Sequence, residues 1–394
     1  MKKVIFIFLL LCSYSISNAQ TKALFEDSNY TDILKRSKAE NKPMVVMFYA
    51  TWCAHCNKMK SDVLKTPELI SYYQNTFVCM GINAESKDGL DLKSKFKGKF
   101  IIKAYPTFVF LDSNENVLNC ISGEFKVEEF MNEAKNALNP ATQFTTLKNA
   151  FYADVTSAEN CIKYVIAARK AGLDATKIAE SYLNTRKPEE IYTEANWKIM
   201  ANGINNIDAP EIQLIANNKE AFAKVSSPTR VEKKLVFVVS DNLRPLAEAL
   251  DTINYNKRRP IAEGFHIRKV DSLLFQYDIL ISENTKNWKN YRKVADANVE
   301  KYLWKNASNL VEISSNYLNH INDKTALDNA IKWTIQALTL GESLDKYVLI
   351  SKLYQKEKNI PKAIEYAEKG KTFGSNLGWK TDDIDKLLNE LKKH

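Results

Sequence analysis

The sequence contains little glycine or proline, with 11 Gly and 10 Pro among 394 residues. These low counts exclude a collagen-like or low-complexity chain and favour helix. The net charge of +9 is modest for this length and is shared between both halves, so it does not predict nucleic-acid binding. Apolar residues make up 45% and charged residues 26%, which is a globular composition, and the length predicts two or three domains.

A long apolar run is also missing. The best candidate, Val4–Cys12, has nine residues and cannot span about 30 Å of hydrocarbon, so no stable membrane insertion is expected. Lys2 and Lys3 precede this run, and small or polar residues follow it up to Ala19. This order is typical of a cleavable secretory signal peptide over residues 1–19. We therefore expect an exported protein, periplasmic or secreted, in a compartment where disulfides can form.

Cysteines are few. The sequence has six, and five remain if Cys12 leaves with the signal peptide, so a fully paired disulfide framework is excluded. Two of the five are three positions apart, and the isolated others are predicted to be packed thiols: Cys79, Cys120 and Cys161. A zinc site would need about four ligands, and no second Cys-x-x-Cys or histidine cluster supplies them. The distribution favours one reactive pair, with a purely structural disulfide as the alternative.

Residues 20–139 are predicted to form an α/β domain. Short apolar runs suit strands that are buried on both faces, and they alternate with helical patterns, which predicts a central sheet flanked by helices. The predicted strands are 44–49, 77–82, 107–111 and 117–121, and the predicted helices are 31–41, 53–64, 127–138 and one that begins at Pro67.

Residues 140–394 show almost only helical periodicity, and we expect an all-helical domain. The apolar run 235–239 is predicted to be a buried helix segment. Residues 329–341 align with 362–374 at an offset of 33, with identities that include Ala330 with Ala363. Helix pairs near this period, here over about 308–374, resemble tetratricopeptide repeats. Chance similarity between two amphipathic helices is the alternative.

The cysteine pair lies where a predicted buried strand meets a helix, in Trp52-Cys53-Ala54-His55-Cys56. Cys53 falls at the helix N-terminus, where unpaired N–H groups and the macrodipole favour an anion, so we expect an accessible thiolate nucleophile. Cys56 lies one turn later, close enough to form a disulfide with Cys53. His55 adds a positive charge and a hydrogen-bond donor beside Cys53, which stabilises the reduced form and makes the couple more oxidising.

On these residues, the segment 23–138 resembles the thioredoxin-like superfamily. The Trp52-Cys53-x-x-Cys56 element matches the active site of that family, and residues 102–107 match its cis-proline loop. Gly123 falls where the family has a glycine after the last hairpin. The sequence of residues 42–53 is similar to the corresponding segment of thioredoxin-related exported proteins, including the C-terminal domain of transmembrane thiol–disulfide interchange proteins. The resemblance covers under a third of the chain.

The resemblance implies roles for residues beside the cysteine pair. It implies a cis Tyr105–Pro106 bond next to Cys53, a backbone at Tyr105 that pairs with an extended substrate segment, and Trp52 as an exposed apolar contact for substrate. The alternatives are a strand-starting proline and a core tryptophan. Many thioredoxins carry a buried acid six residues before the first cysteine, and here that position is Met47. The proton of the second cysteine would then need water or a nearby side chain.

Together these patterns predict an exported thiol–disulfide oxidoreductase. Cys53 forms a mixed disulfide with a substrate sulfur, Cys56 resolves it, and His55 tunes the thiolate. The expected partners are protein thiols and disulfides, a redox protein that recharges the pair, and a protein that binds the helical region. No dissociable cofactor and no metal are implied. The alternative is a non-enzymatic helical-repeat adaptor with a redox-sensitive thioredoxin-like domain.

Overall fold

The computed structural model describes residues 23–393. The predicted signal peptide lies outside the described residues. Two compact units are present, the first ending at Ile204 and the second beginning at Asn205. Within the described range, no helix combines the length and the apolar character needed to cross a bilayer.

A four-stranded sheet is the centre of the first unit. Its strands are β1 (Met44–Tyr49), β2 (Val78–Asn83), β3 (Thr107–Leu111) and β4 (Val117–Ser122), in the order β2-β1-β3-β4. Strand β1 is parallel to β2 and antiparallel to β3, and β3 is antiparallel to β4. All six residues of β1 are buried, as expected for a central strand covered on both faces. The four predicted strands are confirmed to within two residues at each end.

Helices cover both faces of this sheet. They are α1 (Tyr30–Glu40), α2 (Ala54–Lys58), α3 (Pro67–Thr76), α4 (Lys87–Lys95) and α5 (Val127–Leu138), and a π-helical turn, Met59–Val63, continues α2. Alternate residues of β1 enter two different apolar cores. Val45 and Met47 pack on the side that also holds the two cysteines, and Met44 and Val46 pack on the other. The predicted sheet with flanking helices is confirmed.

Four further helices complete the first unit: α6 (Phe144–Ala153), α7 (Ala158–Lys170), α8 (Thr176–Leu183) and α9 (Glu194–Gly203). They join the sheet domain through specific contacts. The backbone N–H of Ile101 donates to the Ala171 carbonyl at 2.8 Å, and Lys170 forms an ion pair with Glu133 of α5 at 2.7 Å. These contacts place the sheet and the four helices in one compact unit that continues to Ile204, and the domain boundary expected at position 139 stays a prediction.

The described part of the second unit is helical, as the periodicity predicts. Its helices are α10 (Pro210–Asn217), α11 (Lys219–Lys224), α12 (Pro228–Glu248), α13 (Thr252–Glu263), α14 (Arg268–Asn284), α15 (Trp288–Tyr302), α16 (Ala307–His320), α17 (Lys324–Thr339), α18 (Leu344–Lys356), α19 (Ile360–Asn376) and α20 (Asp382–Leu391). The apolar run 235–239 lies inside α12, where Leu235, Val238 and Val239 are fully buried. That interpretation is confirmed.

The weak sequence repeat coincides with a repeated contact between helices. The Ser314 hydroxyl of α16 donates to the Ala330 carbonyl of α17 at 3.1 Å, and the Ser351 hydroxyl of α18 donates to the Ala363 carbonyl of α19 at 2.8 Å. Ala330 and Ala363 are the positions that the sequence alignment pairs, and both are fully buried. Two consecutive helix pairs are thus built alike, and their identity as tetratricopeptide repeats stays a prediction.

Candidate active site

The two cysteines of the Cys-x-x-Cys element meet at the end of β1. Cys53 is the N-cap residue of α2, and its Sγ accepts a hydrogen bond from the backbone N–H of Cys56 at 3.1 Å. The Cys53 thiol also points towards the Tyr105 carbonyl, with Sγ and O 3.6 Å apart. A sulfur that caps a helix replaces the usual capping oxygen, and a negative charge on it would be stabilised by the free N–H groups there.

The second cysteine differs sharply in environment from the first. Cys56 is fully buried in the apolar core on one face of the sheet. Burial, followed by the hydrogen bond with Cys53, raises the pKa of Cys56 to about 12. Both residues are thiols in this structure. The pair therefore consists of a capped outer sulfur and a protonated inner one.

The outer sulfur is less open than the sequence suggests. Cys53 exposes 4% of its surface, rather than standing free as an accessible thiolate. The reason is its place in the apolar core beside Cys56 and its contact with the backbone of Tyr105.

The proline loop and the tryptophan lie beside the pair. The Tyr105–Pro106 peptide bond is cis. Trp52 is 70% exposed, and its ring meets the Tyr105 ring edge to face at a centroid distance of 6.1 Å. Its indole N–H donates to Glu85 at 3.0 Å, a residue that the sequence analysis missed. Trp52 is thus an exposed apolar surface next to Cys53 and not a core residue.

His55 is oriented by Glu124, an acid that no sequence pattern predicts. Its Nδ1 contacts a carboxylate oxygen of Glu124, and the imidazole is 71% exposed. The Lys58 ammonium donates to the other carboxylate oxygen at 2.7 Å. The hydrogen bonds from Lys58 and His55 hold the pKa of Glu124 below its usual range. This contact forms because Glu124 follows β4 and reaches the first turns of α2, and the effect of His55 on the Cys53 thiolate stays a prediction.

The three isolated cysteines lie apart from this pair. Cys120 and Cys161 are buried, and burial raises the pKa of each thiol to about 12. Cys79 is half-buried on β2, and desolvation raises the pKa of its thiol as well. Protonated thiols are poor nucleophiles, which agrees with the interpretation of these residues as packed and inert.

Comparisons with known proteins support the assignment of the sheet domain as thioredoxin-like. A family model described as a thioredoxin-like domain matches residues 30–138. The chain is 21% identical over 297 residues to protein disulfide isomerase-like 1-1 of Arabidopsis thaliana, covering 74% of this chain and 56% of that protein. It is 28% identical over 144 residues to thioredoxin-related protein DsbJ of Chlamydia pneumoniae, covering 34% of this chain and 40% of that protein.

A solved structure also resembles part of this chain. The solution structure of a thioredoxin from Thermus thermophilus is 22% identical, with a TM-score of 0.27, and covers 30% of this chain and 88% of that chain. The chain spans 37% to 56% of the length of the first curated relatives it matches.

Proposed function

We propose that this chain, whose residues 30–138 are a thioredoxin-like domain, catalyses thiol–disulfide exchange on exported proteins. The observation that carries the proposal is the hydrogen bond from the Cys56 N–H to the Cys53 sulfur at 3.1 Å. It brings the two sulfurs within one helical turn and favours a negative charge on Cys53 alone. A pair with one ionisable outer sulfur and one protonated inner sulfur suits a two-step exchange.

The exchange proceeds through one mixed disulfide. The Cys53 thiolate attacks a substrate disulfide, a bond forms between Cys53 and one substrate sulfur, and the other substrate sulfur leaves as a thiolate that takes a proton from solvent. Cys56 then loses its proton and attacks the Cys53 sulfur. The Cys53–Cys56 disulfide forms, the second substrate thiolate leaves, and the substrate has gained the two electrons that the pair has lost. In the reverse direction the same steps oxidise a substrate dithiol.

Three neighbouring residues position the substrate. The exposed Trp52 ring offers an apolar contact, and the backbone at Tyr105 and Pro106 offers an edge against which an extended segment can pair. His55 lies two positions after Cys53, and its contact with Glu124 sets the orientation of its ring. These contacts support protein segments, rather than small thiols, as the substrates.

The protein acts outside the cytoplasm and together with other proteins. The N-terminal signal pattern supports export to the periplasm. A second redox protein recharges the cysteine pair after each turnover. The paired helices of the second unit bind a protein partner, since stacked helix pairs present extended surfaces.

The test is a Cys56→Ser variant of the full chain, expressed in its exporting host. Without the resolving thiol, mixed disulfides between Cys53 and exported proteins accumulate, and they appear on non-reducing gels as bands that a reductant removes. Cys79→Ser is the matched control, because it also replaces one thiol in the same domain. If Cys56→Ser traps no more protein than Cys79→Ser, and the wild-type chain does not reduce insulin, the adaptor function replaces this proposal.

A further inference from the structure

The exchange reaction requires Cys56 to lose a proton inside an apolar core. Cys56 is fully buried, and its pKa of about 12 leaves almost no thiolate at neutral pH. Met47, on the same face of β1, has no group that accepts a proton. The proton must therefore pass to another residue or to water before Cys56 can attack the Cys53 sulfur.

A tyrosine and an aspartate form a polar path at this face of the sheet. Tyr49 follows Met47 by two positions, so its side chain lies on the same face of β1, in the same apolar core as Cys53 and Cys56. The buried Tyr49 hydroxyl donates to Asp27 Oδ2 at 2.6 Å. Asp27 is exposed to solvent. The path thus leads from the core that holds Cys56 to a carboxylate in contact with water.

The backbone of the N-terminal segment fixes Asp27 in this position. Asp27 forms a parallel bridge with Gly81 of β2, and the Gly81 N–H donates to the Glu26 carbonyl at 2.8 Å. A Cβ at position 81 would lie 2.8 Å from the Phe25 carbonyl oxygen and 3.3 Å from Asp27 Oδ1. A glycine at position 81 therefore lets the segment lie close enough for Asp27 to reach Tyr49.

The charges around Tyr49 suit a relay. Burial, followed by the hydrogen bond to Asp27, raises the pKa of Tyr49 to about 12. Lys60 is half-buried with its Nζ 3.5 Å from the centre of the Tyr49 ring, and its charge favours the Cys56 thiolate. The other titratable groups that interact with Cys56 are Cys53 and Tyr105.

We propose that Tyr49 and Asp27 carry the proton of Cys56 to solvent during the resolving step, an inference that rests on the proposed function. The Cys56 proton moves to the Tyr49 oxygen as the Tyr49 proton moves to Asp27, which releases it to water. The Cys56 thiolate then forms a bond to the Cys53 sulfur, and the bond from Cys53 to the substrate sulfur breaks. The leaving substrate thiolate takes a proton from solvent, so charge and electrons balance. Asp27 acts on Cys56 only through Tyr49, as the group that passes the proton to water.

The experiment separates the two steps of one turnover. The reduced full-length chain is mixed with a peptide disulfide whose two thiols are chemically distinct, and the release of each thiol is followed by rapid quench from pH 5 to 10. The first release reports attack by Cys53, and the second reports resolution by Cys56. The variants are Tyr49→Phe, Asp27→Asn and the double variant. Tyr30→Phe is the matched control, because Tyr30 also donates to a carboxylate, Glu115, at 2.8 Å but packs against the opposite core.

At pH 7 we expect the first release to be unchanged and the second to slow about 100-fold in both single variants, with no further loss in the double variant. The loss shrinks as pH rises, since hydroxide replaces the relay. Parallel pH profiles for the variants and wild type, or an equal loss in Tyr30→Phe, would overturn the relay and leave the proposed function intact. If the wild-type chain releases no first thiol, the proposed function itself fails.

Discussion

Glu124 accepts a hydrogen bond from the Lys58 ammonium at 2.7 Å, across a sequence separation of 66 residues. Its other carboxylate oxygen contacts His55. One acid therefore offsets the Lys58 charge and contacts the His55 ring in the first turns of the helix that Cys53 caps. A positive field at that helix end stabilises the Cys53 thiolate, and Glu124 weakens it.

Glu124→Gln should therefore make the cysteine couple more oxidising. Removing the carboxylate leaves the Lys58 charge uncompensated, which stabilises the Cys53 thiolate and hence the reduced form. We expect the reduction potential to rise by about 10 to 30 mV, because an exposed charge is partly screened. Equilibration with glutathione measures this potential.

Glu128→Gln is the control for this change, since Glu128 is exposed on the first turn of the neighbouring helix α5. It removes the same charge without touching His55 or Lys58. An equal shift in both variants would show a general charge effect and no specific role for Glu124.

Trp52→Ala should slow reaction with protein disulfides and leave reaction with small disulfides nearly unchanged. The exposed ring stands beside Tyr105, where a protein segment would lie, and does not support the core. We expect kcat/KM for insulin to fall about 10-fold, the usual effect of losing one aromatic contact. The rate with a small aromatic disulfide is compared in parallel. Tyr152→Ala removes another exposed aromatic ring from the first unit, and a similar loss there would count against a docking role for Trp52.

The residues after position 139 should stabilise the sheet domain. Ala171 belongs to the core under β1, Phe144 and Leu173 pack against that core, and the Ile101 N–H donates to the Ala171 carbonyl. A fragment of residues 23–139 should thus be about 2 kcal/mol or more less stable than residues 23–204, from lost apolar burial and one lost hydrogen bond. Urea denaturation followed by circular dichroism compares the two fragments. Equal midpoints would mean that the added helices pack without stabilising the sheet.

Gly370→Ala should destabilise the second unit although alanine normally favours helix. An added Cβ at position 370 of α19 would lie 2.5 Å from the Tyr347 Cβ of α18, so the two helices would have to separate. We expect a loss of about 1 to 3 kcal/mol in unfolding free energy. Gly341→Ala is the matched control, because an added Cβ there meets nothing within 4 Å. A stability gain at position 370 would contradict the close approach of these helices.

Local patterns in the sequence predicted most of the fold. Strand β1 is a continuous apolar run, and the Cys-x-x-Cys element follows it directly, so both could be assigned from neighbours in the chain. Helix α4 was missed, because Lys87–Lys95 contains two leucines and a glycine among polar residues, and Leu90 is exposed. Its role is to cover β2 with little apolar surface.

The parts of the site that could not be predicted depend on contacts between distant segments. Glu124 lies 69 residues from His55, and Asp27 lies 22 residues from Tyr49. No periodicity or spacing pairs such residues, because the turn after β4 and the bridge at Gly81 bring them together only in the folded chain. The sequence therefore predicts the cysteine pair and not the two acids, Glu124 and Asp27, that lie near it.

The exposure of Trp52 beside Cys53 has a practical consequence. Its ring contacts Tyr105 next to the cysteine pair. Indole emission responds to nearby sulfur and to solvent contact. The native chain thus contains its own optical reporter, and formation of a covalent intermediate can be followed by fluorescence without a dye label.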